Sequence, residues 1–183
     1  MKGDNKSMRV FKMPEITPRG FTLVEMLVVL GLLGIIVTTI MATLNPFTQL
    51  QKSNDAHRKA DLEQIQHGLE MYYQDNGRYP DSTANFQIQN GTSAVAWGSS
   101  WQPYITTVPK DPISTNTYVY YSPASSTGQS YYLYANLQRG KNDPQTCNGG
   151  NACASIGSAV GFPTANSCGG TCNYAVTSTN VSP

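Results

Sequence analysis

The chain has 183 residues, enough for one modest domain with an attached segment. Charged side chains make up only 13% of it and the formal net charge is +1, which excludes the global basic field of a nucleic-acid binder. The charge is unevenly spread: residues 1–20 hold five basic side chains against two acidic, and residues 21–183 hold seven against nine.

Residues 1–20 therefore read as a short basic leader. Residues 21–44, FTLVEMLVVLGLLGIIVTTIMATL, are 24 residues with a single charge, Glu25. A helix rises about 1.5 Å per residue, so this stretch covers roughly 36 Å and crosses a hydrocarbon core of about 30 Å. Apolar residues occupy every face, unlike the one-sided stripe of a soluble core helix. The basic leader stays in the cytoplasm by the positive-inside tendency and the remainder lies outside. An ordinary secretory signal has a shorter apolar run followed by a small-residue cleavage site. Here the run is longer and the small residue, Gly20, precedes it.

Glu25 is the anomaly of the span. A carboxylate there costs about 2.5–3.5 kcal/mol on insertion scales, and no Lys or Arg lies within 21–44 to offset it. One reading lets Glu25 reach water at the interface. The other supplies a cation: cleavage after Gly20 frees the α-amine of Phe21, four residues away in this chain or close by in a neighbouring one.

Arg19-Gly20-Phe21-Thr22-Leu23-Val24-Glu25, followed by an apolar run, resembles the class III signal of type IV pilins and type II secretion pseudopilins. The resemblance implies cleavage by a prepilin peptidase after Gly20, N-methylation of Phe21, and use of Glu25 in assembly. It also implies an α+β fold of lollipop shape, with a long N-terminal helix packed on a small antiparallel sheet.

Asn45-Pro46 interrupts the run. Proline removes a helical hydrogen bond, so Pro46 marks a kink or a fresh helix start that Asn45 is able to cap. Residues 45–77 then read as an amphipathic helix. Leu62, Ile65, Leu69 and Tyr72 fall on one face, Lys59 and Glu63 form an i,i+4 pair, and Gly77 suits a left-handed cap. Joined to the span, a nearly continuous helix over 21–76 would be about 84 Å long. Two clean heptads are short for a coiled coil, so the apolar face is expected to pack on the following domain. His57 and His67 lack the i,i+4 spacing of a helical zinc pair and read as surface residues.

Residues 78–137 form the expected globular head. Trp97, Trp101 and Tyr104 anchor a small core, and Pro103, Pro109 and Pro112 disfavour long elements. The segments 117–122 and 130–137 have strand composition and a short turn-rich link, which predicts an antiparallel hairpin; 173–177 offers a third strand. Alternating tyrosines then face the helix on one side and water on the other, in preference to forming a recognition surface. The order "GRYP", "W-x-PYI", "VPKDP" and tyrosine-rich strands is similar to the major pseudopilin branch of type II secretion, so that the resemblance covers residues 19–137.

Residues 138–183 are a polar tail whose last 37 residues hold all four cysteines, Cys147, Cys153, Cys168 and Cys172. The spacings C-x5-C and C-x3-C, with no nearby His, point to disulfides in an oxidising compartment in preference to zinc, and leave three pairings open. Many major pseudopilins bind calcium near the end of the head. Calcium takes six to eight oxygens, and the only acids past Asp81 are Asp111 and Asp143. These two are the calcium candidates, and no cofactor is expected.

The reading is therefore a non-enzymatic filament subunit in the cytoplasmic membrane, then in an extracytoplasmic filament. Its implied partners are copies of itself, minor pilins or pseudopilins, prepilin peptidase and the inner-membrane assembly platform. A secretion pseudopilin is favoured by the head motifs, with a surface pilus for adhesion, motility or DNA uptake as the alternative. A membrane-tethered enzyme or binding module is more remote: no His follows His67, and neither explains a glutamate four residues past Gly20. The mature chain is expected to begin at Phe21 and to carry one added methyl group there. Mass spectrometry of the N-terminal peptide checks this, and an uncut chain would reject it.

Overall fold

The computed structural model describes residues 20–154 and 164–182. The basic leader up to Arg19 and the tail segment 155–163 lie outside the described residues. The chain divides between Asn45 and Pro46 into two units, each considered by itself.

The first unit is helix α1, Leu23–Leu44, whose 22 residues are long and apolar enough to cross a membrane and of which none is buried. In hydrocarbon each hydroxyl needs a partner within the helix. Thr38 donates to the carbonyls of Gly34 and Ile35, Thr39 to Ile35, and Thr43 to Thr39 and Ile40. These back-bonds satisfy the polar groups of an otherwise aliphatic surface. The helix ends at Asn45, which adopts a left-handed conformation at φ 41°, a region Asn tolerates better than most residues. Asn45 thus closes α1, in place of the expected role as cap of the next helix.

The second unit begins with α2, Pro46–Asn76. Proline suits the first helical position because its missing N–H would have had no partner there. The helix stops where expected: Gly77, at φ +69°, donates its N–H to the Tyr73 carbonyl at 2.8 Å. Leu62, Ile65 and Leu69 are completely buried, and Tyr72 packs at the edge of the same cluster. Gly68 shares this face. A Cβ there would sit 2.5 Å from the Ile105 side chain, so glycine is what lets Ile105 and Trp101 come close to the helix.

Two small sheets complete the unit. Strands β1 (Ile88–Asn90) and β2 (Ser93–Val95) form a short hairpin that the sequence reading did not assign, in the region where no long element was expected. The two-residue turn is Gly91-Thr92, with Gly91 at φ +61° in the first central position, where a tight hairpin turn favours glycine. The larger sheet has the order β3-β4-β5, all antiparallel, from Val119–Tyr121, Tyr132–Ala135 and Tyr174–Thr177. These lie inside the three segments anticipated from composition.

Register decides what each face meets. Tyr120 pairs with Leu133 and Leu133 with Val176, and this face packs into the core built on α2. Val119 pairs with Tyr134 and Tyr134 with Ala175, and this row points the other way. It does not face water as expected. Val119, Tyr121, Tyr132 and Tyr134 join Cys153, Cys168 and Cys172 in a second buried cluster. Of the three possible pairings the structure contains Cys147–Cys153 and Cys168–Cys172, two short loops folded over the sheet. The segment after residue 137 therefore supplies both an edge strand and a covering layer, and belongs to the head.

Reduction should uncover this tyrosine face, because each loop loses its cross-link. Limited proteolysis with mass mapping is expected to show new cuts between residues 138 and 182 in reductant, with α2 still resistant. Unchanged cleavage would mean that the layer holds without its disulfides.

Candidate assembly site

Two groups of residues carry the chemistry of this chain: the start of α1 and the polar side of α2. Gly20 and Phe21 precede the first helical turn and are exposed, Phe21 to 71%. The bond between them is thus in non-helical backbone. Thr22 caps the helix, with its Oγ1 accepting the Glu25 N–H at 3.2 Å. Thr22 and Glu25 stand in the S/T-x-x-E spacing of a capping box. The sequence reading used this stretch for cleavage and passed over the cap. Glu25 lies in the first turn, where the positive end of the helix dipole favours a carboxylate by about 0.3–1 kcal/mol. An anionic side chain at this position therefore has one stabilising partner in its own helix before any amine is supplied.

In the second unit, α2 is fastened to the head by charges that the apolar pattern concealed. Arg58 is completely buried. Its Nε and Nη2 donate to the two carboxylate oxygens of Asp111 at 2.7 and 2.9 Å, and Nη1 donates to Asp55 at 2.9 Å. The carboxylates are themselves shared. Asp55 accepts the backbone N–H groups of Gln138 and Arg139, both at 2.8 Å, and Asp111 accepts that of Ile113 at 2.8 Å. Burial alone would lower the Arg58 pKa; the hydrogen bonds and charges of Asp111 and Asp55 outweigh it and raise the pKa.

One residue on, Lys59 donates to Asp143 at 2.5 Å and Gln145 at 2.6 Å and lies over the Tyr174 ring. The helical pair expected between Lys59 and Glu63 is not what forms, because the tail brings a carboxylate and an amide to the same ammonium. Desolvation acts to raise the Asp143 pKa, but the Lys59 hydrogen bond, the Gln145 N–H and the Lys59 charge reverse it and lower the pKa. Further along, Tyr118 donates to Asp61 at 2.5 Å, and Tyr79 and Tyr131 donate to Glu70. Burial pushes the Asp61 carboxyl up, against the Tyr118 hydrogen bond. Desolvation and then these carboxylates push the Tyr79 and Tyr118 hydroxyls well above the usual range.

The structure does not bring Asp111 and Asp143 together as metal ligands. Each neutralises its own cation, and among the described residues no group of three or more His, Cys, Asp or Glu gathers in the manner of a metal site. His57 and His67 are exposed. Asp55 and Arg58, which the sequence reading left unassigned, prove to be the centre of the head. Their i,i+3 spacing on a helix was the available signal, but Asp111 lies 53 residues further on.

The family model for the type II secretion system protein G matches residues 45–153, and that for the prokaryotic N-terminal methylation motif matches residues 18–41. Curated relatives carry the name type II secretion system core protein G. That of Klebsiella pneumoniae is 28% identical over 125 residues, covering 68% of this chain and 80% of the relative. That of Aeromonas hydrophila is 31% identical over 107 residues, covering 57% and 73%. That of Vibrio cholerae is 30% identical over 124 residues, covering 66% and 83%. No solved structure matches.

Arg58→Met should leave Asp55 and Asp111 buried without a counter-charge, at a cost of about 3–5 kcal/mol. The midpoint of denaturant unfolding of the full chain in detergent measures this. Arg58→Lys is expected to restore only part of the loss, because an ammonium cannot reproduce the bidentate contact.

Proposed function

Because the chain belongs to the type II secretion system protein G family, we propose that it is cut after Gly20, methylated on Phe21 and polymerised through α1 into a pseudopilus that drives protein export. It is a pseudopilin, a structural subunit of a type IV filament anchored by one apolar helix. The observation that carries the finer reading is the state of α1. Its 22 residues are apolar on every side, none is buried, and its one charge stands in the first turn.

Such a surface needs a non-aqueous partner. Lipid supplies it in the waiting subunit, and neighbouring α1 helices supply it in the filament. Lipid and helix are equally apolar, so burial alone gives little preference between them. Direction comes from charge. The Phe21 amine freed in one subunit attracts Glu25 of the next and sets the step between helices as each leaves the bilayer. Head-to-tail contacts of this kind do not close on themselves and generate an open helical polymer.

The implied partners are further copies of the chain, minor pseudopilins, prepilin peptidase and the inner-membrane assembly platform. The leader lies in the cytoplasm and the head outside, where the two disulfides are stable. On this reading the distal loops are held by disulfides and ion pairs, without a metal ion.

Glu25→Ala is expected to insert into membranes as the parent does and to yield few or no filaments. Membrane fractionation and electron microscopy of sheared filaments read the two outcomes separately. A normal filament yield would reject the role given to Glu25.

A further inference from the structure

We propose that the end of the head next to α1 is a membrane-surface site that takes the headgroups of anionic phospholipids. The inference rests on α1 being a membrane span. It does not depend on how the two helices are oriented, since only Asn45 separates them. Lys52 lies six residues beyond Pro46, about 9 Å along the helix by its rise, so the first two turns of α2 stay near the bilayer interface.

These turns have the composition of an interfacial segment. Phe47 and Leu50 are 76% and 62% exposed, more than Met71 near the far end of α2 at 44%, whereas Leu62, Ile65 and Leu69 are completely buried. Lys52 follows them and is exposed. Arg139 and Lys141 reach the same place from the loop after β4. That loop is tied to α2 by the two N–H groups that Asp55 accepts and by Asn54 Nδ2, which donates to Gln138 at 3.2 Å. Lys52 and Arg139 line an open hollow of about 430 Å³ together with Asp55 and Asp143, whose charges are already met by Arg58 and Lys59, and Arg139 and Lys141 line a second of about 620 Å³ with Thr48 and Gln51.

Charge accounting isolates the three cations. Five cationic side chains stand in this region: Lys52, Arg58, Lys59, Arg139 and Lys141. Asp55 and Asp111 are taken up by Arg58 and Asp143 by Lys59. Among the described residues, Lys52, Arg139 and Lys141 have no carboxylate partner. Exposed apolar side chains beside unpaired cations, a few residues along the chain from a span, match the chemistry of an anionic bilayer surface: hydrocarbon stems enter the interface and cations meet phosphate. Such a contact would hold the head down until the subunit is drawn into a filament. The rival occupant is a second copy, which would also cover Phe47 and Leu50; lipid is favoured because these turns follow the span directly in the chain.

The test uses the mature full-length chain, one copy per nanodisc, in phosphatidylcholine with or without phosphatidylglycerol. Lysines are acetylated briefly and quantified by mass spectrometry. Lys52 and Lys141 are expected to react several-fold more slowly in the anionic discs, with Lys110, which lines neither hollow, unchanged. High salt should erase the difference by screening, and Arg139→Gln should reduce it without changing the melting temperature. Equal labelling in both lipids would overturn the proposal. Protection that appears only when several copies share a disc would also overturn it, by assigning the surface to a second subunit. A chain that fails to co-elute with discs of either kind would refute the membrane span itself, and this inference with it.

Discussion

The head depends on one buried guanidinium. Arg58 joins α2 to Asp111, and through Asp55 to the backbone that follows β4, so a single side chain ties together three segments distant in sequence. An ion pair of this kind returns little net stability, because desolvating three charges offsets most of their attraction. What it does supply is uniqueness. A slide of α2 by one turn would keep an apolar face toward the sheet but strand two carboxylates and a guanidinium in the interior. The penalty for that error is far larger than the reward for the correct arrangement, so the contact sets register.

The rest of the second unit follows from that register. With α2 placed, Gly68 meets Ile105 and Trp101, and the face of the sheet carrying Tyr120 and Leu133 closes on Leu62, Ile65 and Leu69. Lys59, one residue beyond Arg58, then meets Asp143 and Gln145, which brings the start of the tail alongside the helix. The tail can in turn cover the opposite face of the sheet with its two disulfide loops. This layer removes tyrosines from water and leaves Asp111 and Asp143 committed to cations.

The same rule, that a charge in an apolar medium needs a partner, shapes the first unit differently. Arg58 has its carboxylates within the fold, whereas among the described residues the Glu25 carboxylate has only the positive end of its own helix. The first charge is neutralised within the head; the second is the one for which the proposed pairing with a Phe21 amine supplies a counter-charge.

The amino-acid sequence by itself determined the local and compositional features. The span is legible because hydrocarbon thickness dictates its length, and the N-terminal methylation motif is legible because its residues are contiguous. The stop at Gly77, the buried face of α2 and the three strands follow from periods of 3.6 and 2 and from turn residues, all read within a few neighbours. What only the tertiary structure decided are the long-range partnerships. Nothing local distinguishes a surface Arg58 from a buried one, since its partner Asp111 lies 53 residues away. Nor does alternation show whether Tyr132 and Tyr134 face water or a layer contributed by Cys153, Cys168 and Cys172, or which of three cysteine pairings forms. Those outcomes depend on which segments reach the same place in space, and chain proximity in three dimensions is not a function of sequence spacing.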